Sequence, residues 1–240
     1  MTQAALIVAH GQPSDPDPAE AELARLAAKV ATLLPNWRIG SATLAAPGAL
    51  SRAVADLGPE GRAYPLFMAG GWFTRVQLPA RLAASDAPHW QVLEPLGCDP
   101  DLHSLAVQIV RAEAPETVLL AAHGSFKSTV PADVAAHVVD LIARSTGCRT
   151  EAAFIDQSPQ LSQVTGHGPR AICLPFFATE GGHVRDDIPA ALQTAGFQGR
   201  ILRPLGLHPD IPALIAKAIS HRTVVCADRC RWQRAPGAGA

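Results

Sequence analysis

The sequence predicts an α/β protein of two tandem domains, each a four-stranded parallel sheet with helices on both faces. Short apolar runs alternate with segments of helical periodicity, as in parallel sheets. The whole pattern restarts near the middle of the chain, and the matching places lie about 110 residues apart. We therefore interpret the chain as the product of an internal duplication.

The first copy of the pattern begins with an apolar, buried strand at 4–9 that ends at His10-Gly11. Its remaining strands are predicted at 38–44, 62–68 and 91–96. Its helices are predicted at 19–34, 48–57, 78–84 and 101–113. Strands that alternate with helices in this way form a parallel sheet through right-handed crossovers.

The second copy repeats the first at several separated places. Residues 118–124 match 5–11, and the second copy continues with a helix at 132–144 and strands at 150–155 and 171–177. Two further matches join 185–189 to 75–79 and 203–210 to 94–101. We place the domains at 1–114 and 115–221, followed by a flexible tail at 222–240.

Charge and composition exclude several classes of protein. The formal net charge is −1, which argues against a broad basic surface for nucleic acid. No apolar run approaches the roughly 20 residues that span a bilayer, and the N-terminus lacks the basic region of a signal peptide. We therefore predict a cytoplasmic protein with no nucleic-acid or membrane partner.

Nucleotide and hydrolase motifs are absent from the sequence. There is no Walker A sequence, no GxGxxG after a strand and no Gly-x-Ser-x-Gly elbow. These absences argue against kinase, ATPase and dehydrogenase chemistry, and we expect no nucleotide cofactor.

The cysteines do not form a disulfide framework, and reduced thiols are the expected state. Cys226 and Cys230 form a CxxxC pair near the C-terminus. Since iron–sulfur clusters normally take four ligands, we favour unbound thiols over a cluster. A cluster shared across a dimer is the alternative.

Two histidines of the second copy follow strands of the same predicted sheet. His123 comes directly after a buried strand, and His183 follows the third strand. Because the carboxyl ends of parallel strands meet at one edge, both rings can face one crevice. Two neutral imidazoles there bind a divalent metal or accept protons near neutral pH. Unrelated loop histidines are the alternative, but His10 occupies the position of His123 in the first copy.

Carboxylates near these histidines have two interpretations each. Asp156 follows the second strand, where it can help to ligate a metal or take up protons, or serve as a turn aspartate. Asp186 and Asp187 are predicted to begin a helix and to favour its dipole. Glu180 lies on the loop before His183 without an assigned role. The histidines without ligand spacing are predicted at the surface: His89, His103, His137, His167 and His221.

The motifs of the second copy resemble those of the sirohydrochlorin chelatases. They are His-Gly-Ser at 123–125, Phe-Ile-Asp at 154–156, and Pro-Phe-Phe-x-x-x-Gly-Gly-His-Val-x-x-Asp-Ile-Pro at 175–189. The resemblance covers about 4–219 and is closest to the long, two-domain form among single-component tetrapyrrole chelatases. It implies two flavodoxin-like, chelatase-like domains. It also implies ATP-independent insertion of cobalt or ferrous iron, as a substrate, into sirohydrochlorin for cobalamin or sirohaem biosynthesis.

Within this resemblance, the family's active-site histidines fall on His123 and His183. The acidic residue after the second strand, commonly glutamate, is Asp156 here, which is one methylene shorter. His10 fits the first motif histidine of the N-terminal domain, whereas Phe73 stands at the second. The resemblance thus implies catalytic roles for His123, His183 and Asp156, metal contacts for these histidines and His10, and a degenerate N-terminal site.

The resemblance also implies a small-molecule tetrapyrrole as the partner. We expect its carboxylates to meet Arg75 and Arg185, and Ser125 to lie against it. Trp72 and Phe73 either line the macrocycle or pack into the core. A non-catalytic tetrapyrrole- or metal-binding protein is the alternative function, and a chelatase for nickel or another tetrapyrrole is a further one. The sequence predicts no particular oligomeric state.

Overall fold

The computed structural model describes residues 3–221 and 230–232 as two compact units, each with its own four-stranded, all-parallel sheet. This confirms the predicted α/β fold with two parallel sheets. Within the described part of the chain, no helix is long and apolar enough to cross a membrane.

The sheet of the first unit has the strand order β2-β1-β3-β4. Its central strand is buried along almost its whole length, as expected of an apolar run covered on both sides. The strands are β1 (Gln3–Ala9), β2 (Trp37–Thr43), β3 (Arg62–Pro65) and β4 (Gln91–Val92). The helices that follow the first three strands are α1 (Pro16–Leu33), α2 (Ala49–Leu57) and α3 (Leu78–Ala83). The chain passes from β1 to β2 on one side and then to β3 on the other side of β1. The carboxyl end of β1 therefore lies at a topological switch point, where such sheets bind ligands.

The second unit repeats this order as β6-β5-β7-β8, so β6 lies beside β5. Its strands are β5 (Thr117–Ala122), β6 (Arg149–Phe154), β7 (Ala171–Pro175) and β8 (Arg200–Ile201). Helices α5 (Val130–Thr146) and α6 (Ile188–Thr194) follow β5 and β7. One core of this unit packs Leu119, Ala121 and Cys173 of the sheet against Ile188 and Leu192 of α6. Burial raises the pKa of the Cys173 thiol to about 12, so it stays protonated.

The fourth strand of the first sheet is shorter than predicted, and that of the second sheet is short as well. The strand predicted at 91–96 ends at Val92, and β8 is equally short. Pro95 and Pro204 follow closely, and proline has no N–H to donate to a sheet ladder.

Two helices pack in a different unit from the one that the sequence repeats predict. Helix α4 (Pro100–Glu113) packs with α5, and α7 (Ile211–His221) packs with α1 and β3. The first unit is therefore 3–96 with 209–221, and the second is 97–208 with 230–232. The domain boundaries predicted at 114 and 221 follow the sequence repeats. They stay a prediction about where one repeat ends and the next begins. The structural units differ from the sequence repeats because the last helix of each repeat packs in the unit formed by the other repeat.

Part of the predicted tail packs on the second unit. Cys230 is buried, the Trp232 ring stacks on His137 at 4.0 Å, and its indole N–H donates to the carbonyl of Cys98. The prediction of a flexible tail and of a Cys226–Cys230 thiol pair otherwise falls on residues outside those that the structure describes.

Two of the histidines predicted at the surface are buried instead. The Nε2 atom of His103 donates to the carbonyl of Gly97 across 2.8 Å. His167 bonds to Glu151 at 2.6 Å and to Thr117 at 3.0 Å. The surface prediction was wrong for both, because Nε2 of His103 and both ring nitrogens of His167 have hydrogen-bond partners inside the fold.

Candidate active site

The loop after β5 holds His123 at the carboxyl edge of the sheet. Gly124 turns the chain with φ +76°, and a Cβ at this position would lie 2.6 Å from Cγ of Gln157. Both the backbone angle and the close approach require glycine. The Nδ1–H of His123 donates to the carbonyl of Gly124 across 3.1 Å. The main chain therefore orients this imidazole.

Gln157 secures the same loop and was not predicted from the sequence. Its Oε1 atom accepts the backbone N–H of Ser125 at 2.7 Å, and the Ser125 hydroxyl accepts the N–H of Lys127 at 3.1 Å. Its place directly after Asp156 was the available signal, because that residue also lies at the carboxyl edge of the sheet.

His183 begins a wide, π-helical turn, His183–Asp187, immediately before α6. The N–H of Ile188 donates to the carbonyl of His183, five residues back. Pro189 follows, and its ring would clash with the carbonyl four residues earlier in a regular α-helix, which a widened turn avoids. Such turns recur at functional sites.

The imidazoles of His123 and His183 meet edge to face, with ring centroids 4.7 Å apart and planes at 89°. Their side chains are 47% and 46% exposed, so a ligand can reach both. Each Nδ1 lies against an oxygen that only accepts hydrogen bonds, so each Nδ1 carries the hydrogen. Both Nε2 atoms therefore keep a lone pair, the form that binds a metal or a proton.

A carboxylate accompanies each of these two rings. The Oδ2 atom of Asp156 lies 3.4 Å from Nδ1 of His123, and the Asp156 N–H donates to the His123 carbonyl. The Oδ2 atom of Asp187 accepts the Nδ1–H of His183 at 2.6 Å. Asp187 stands at the N-cap position of α6, as the predicted helix start requires, but its side chain makes no capping hydrogen bond to that helix.

The first unit keeps the same backbone with different side chains. The ring of His10 meets that of Phe73 at 4.6 Å and 80°, and its Nδ1–H donates to the carbonyl of Gly11. Ala45 takes the place of Asp156, since its N–H donates to the His10 carbonyl. Gln77 takes the place of Asp187 in a second π-helical turn, Phe73–Gln77. This unit therefore has one imidazole where the second unit has two.

The two arginines expected to contact substrate occupy equivalent positions, each the third residue of its π-helical turn. Arg185 is exposed. The guanidinium of Arg75 lies over Gly70, where a Cβ would come within 2.8 Å of it. Glu180 is also exposed.

Trp72 and Phe73, which were expected either to line the macrocycle or to pack into the core, differ in their surroundings. Phe73 packs against the core of the first unit and stacks on Phe67, with ring centroids 6.1 Å apart. Trp72 is 59% exposed and touches Phe73 with the rings edge to face. Trp72 is therefore available to a ligand, whereas Phe73 is partly buried and packs against the core.

In the described part of the chain, no three side chains among histidine, cysteine, aspartate and glutamate are grouped to hold a metal ion. The donors that the site presents are the two imidazole Nε2 atoms. Imidazole suits cobalt, iron, nickel and zinc alike, and two protein ligands leave further coordination positions for a substrate.

Comparison with known proteins points in one direction. The family model of CbiX matches residues 117–222. A solved structure of CbiX, described as the terminal enzyme for biosynthesis of siroheme in denitrifying bacteria, shares 45% sequence identity. The similarity covers 91% of this chain and 98% of that one, with a TM-score of 0.81.

Two more distant structures share the fold. SirB from Bacillus subtilis with Fe3+ is 15% identical, with a TM-score of 0.74 over 92% of this chain and 95% of that one. The sirohydrochlorin chelatase SirB from Bacillus subtilis subspecies spizizenii, in complex with cobalt, is 17% identical, with a TM-score of 0.67 over 92% and 94%. No curated protein sequence matches the chain.

Proposed function

The chain belongs to the CbiX family, and from this premise we propose that it inserts a divalent metal, cobalt or ferrous iron, into sirohydrochlorin without ATP. The observation that carries the proposal is the pair of exposed imidazoles, His123 and His183, with both Nε2 lone pairs available. Such a pair handles both species that the reaction moves, which are a metal ion and protons.

The first role of the pair is to hold the metal. The Nε2 atoms of His123 and His183 bind the incoming ion, and its remaining coordination positions accept the ring nitrogens of the tetrapyrrole. His10 presents the same tautomer in the first unit, and we propose it as the candidate metal contact of that unit.

The second role is to take up protons. A divalent ion replaces two pyrrole N–H protons, so the metallated product and two protons leave for each metal inserted. As the metal passes to the macrocycle, the Nε2 lone pairs of His123 and His183 are released and accept these protons. Asp156, 3.4 Å from the ring of His123, stabilises the imidazolium that forms there.

Each unit contributes candidate substrate contacts. Arg75 and Arg185 pair with the carboxylates of sirohydrochlorin, as guanidinium groups do with planar anions. The hydroxyl of Ser125 lies on the His123 loop and adds a polar contact. The exposed indole of Trp72 stacks on the macrocycle. The enzyme acts in the cytoplasm, and its product enters sirohaem or cobalamin biosynthesis.

An anaerobic assay tests the proposal. Sirohydrochlorin is mixed with cobalt, ferrous iron or nickel and a catalytic amount of protein, and absorbance follows metallation. Several turnovers for each protein chain support the chelatase and rank its metals. Binding at one molecule for each chain without turnover would instead favour the alternative, a tetrapyrrole- or metal-binding protein derived from a chelatase. Turnover with nickel alone would assign a different metal.

A further inference from the structure

Resting on the proposed function, we propose that Asp187 is a positioning residue that holds the His183 ring with its Nε2 lone pair available to the metal. The carboxylate Oδ2 accepts the His183 Nδ1–H across 2.6 Å. A carboxylate in this position fixes both the tautomer and the orientation of a metal-binding histidine.

His183 depends on this bond more than His123 depends on its carboxylate. The main chain orients His123, because its Nδ1–H donates to the carbonyl of Gly124. The Nδ1–H of His183 has a side-chain acceptor instead, on a ring that is 46% exposed. Loss of that acceptor lets the hydrogen move to Nε2, and a protonated Nε2 cannot ligate a metal.

Helix capping does not account for Asp187. Its backbone precedes α6, but its carboxylate makes no hydrogen bond to the N–H groups of that helix. Asp186, the residue before it, carries the same charge near the same helix end and has no hydrogen bond to His183 among the described residues. Any benefit of negative charge at this end is therefore shared by both aspartates, whereas the bond to the ring belongs to Asp187.

The first unit provides an internal comparison. Its π-helical turn has the same length as that of the second unit. Leu78-Pro79 follows the turn of the first unit, and Ile188-Pro189 follows that of the second. Phe73 stands in the place of His183, and Gln77 in the place of Asp187. The Oε1 atom of Gln77 is buried, and no described group hydrogen-bonds to it. The imidazole and its acceptor are thus replaced together, as expected if the carboxylate serves the ring.

The test compares three variants of the full chain with Asp186→Ala as the matched control. Asp187→Ala removes the acceptor, Asp187→Leu removes it while keeping more of the volume, and Asp187→Asn keeps an amide oxygen that accepts the same hydrogen bond. Two readouts are used: Co2+ affinity, from absorbance titration with the metal alone, and the KM values for Co2+ and sirohydrochlorin. Thermal melts establish that each variant is folded.

We expect Asp187→Ala and Asp187→Leu to weaken Co2+ binding and raise the metal KM by roughly 10- to 100-fold. The KM for sirohydrochlorin stays near that of the unmodified chain, Asp187→Asn recovers most of the loss, and Asp186→Ala behaves like the unmodified chain. Equal Co2+ affinity in Asp187→Ala, Asp187→Leu and Asp186→Ala would overturn the role of Asp187. If the unmodified chain shows no turnover with cobalt, ferrous iron or nickel, the chelatase proposal fails. The Co2+ titration still decides the role of Asp187 in that case.

Discussion

The imidazole of His10 meets the phenyl ring of Phe73 edge to face at 4.6 Å, almost the geometry that His123 and His183 adopt at 4.7 Å. The two units therefore share the arrangement of two rings and differ in the chemistry of one. Both rings of each pair are held by the same kind of backbone, since Phe73 and His183 each begin a π-helical turn of five residues.

Two substitutions in the first unit should create a metal site there. The combined change Phe73→His with Gln77→Asp supplies an imidazole beside His10 and an acceptor for its Nδ1–H. In a chain that also carries His123→Ala and His183→Ala, we expect about one Co2+ to bind. Absorbance titration measures the stoichiometry.

Single changes serve as the controls for this experiment. Phe73→His alone should bind Co2+ roughly 10-fold more weakly, because its ring lacks the carboxylate acceptor. Gln77→Asp alone should not bind. A folded double variant without Co2+ binding would show that the two units differ in more than these side chains.

Loss of either imidazole in the second unit should stop metal insertion. We expect His123→Ala or His183→Ala to lower kcat by about 100-fold or more, since each ring both holds the metal and accepts a proton. The anaerobic sirohydrochlorin assay measures the effect. His89→Ala, at an exposed histidine of the first unit, should keep the rate of the unmodified chain. Normal turnover without His123 and His183 would remove the proposed mechanism.

The two carboxylates should differ in importance. Asp156 lies 3.4 Å from a ring that the main chain already orients, whereas Asp187 makes a 2.6 Å bond to a ring without a main-chain acceptor. We therefore expect Asp156→Ala to raise the metal KM by only about 10-fold or less, less than Asp187→Ala does. Steady-state assays at varied Co2+ measure both, and the reverse order would contradict this assignment.

Removal of the exposed indole of Trp72 should weaken binding of the tetrapyrrole and leave metal binding unchanged. We expect Trp72→Ala to raise the KM for sirohydrochlorin by about 2- to 10-fold, which corresponds to a stacking contact of about 0.5–1.5 kcal/mol. The KM for the metal should not change. Leu33→Ala, at an exposed apolar residue of α1, is the control. An unchanged KM for sirohydrochlorin would exclude Trp72 from the substrate site.

Acid should destabilise the protein through His103. Burial lowers the pKa of His103 to about 4; the hydrogen bond to Gly97 opposes this shift, whereas His137 and Arg231 reinforce it. Because the unfolded chain protonates this histidine near the ordinary histidine pKa of 6.5, the unfolded state binds more protons between these values. The contribution is present above pH 6.5 and is lost as pH falls to about 4.

We expect this single group to account for about 3 kcal/mol of the free energy of unfolding over that window. Denaturant titrations at pH 7 and pH 4 measure it. His103→Gln should have a smaller difference between the two pH values, whereas His89→Gln should retain the difference of the unmodified chain. Equal pH dependence in all three proteins would contradict the assignment.

The parallel sheets could be predicted because the sequence encodes them locally. Runs such as 118–122 are apolar throughout, as strands covered on both faces require, and the repeat identifies equivalent strands even where one is short. The approach of His123 and His183 followed from the same reasoning, since parallel strands end at a common edge.

Other features depend on side-chain geometry or on distant contacts. An aspartate four residues after His183 is equally consistent with a helix start, and only its rotamer identifies the bond to the ring. Burial of His103 depends on an acceptor, the carbonyl of Gly97, that no pattern reveals. The exchange of α4 and α7 is invisible in a repeat, because the two copies of the helix are equivalent in sequence.

That exchange has a consequence for how the protein folds. Neither repeat contains all of the helices that pack on its own sheet, because α4 packs in the second unit and α7 in the first. During synthesis α1 can pack on β2 early, but its contacts with α7, at 211–221, form only after the strands of the second unit have been made. Completion of the first unit thus depends on synthesis of the second.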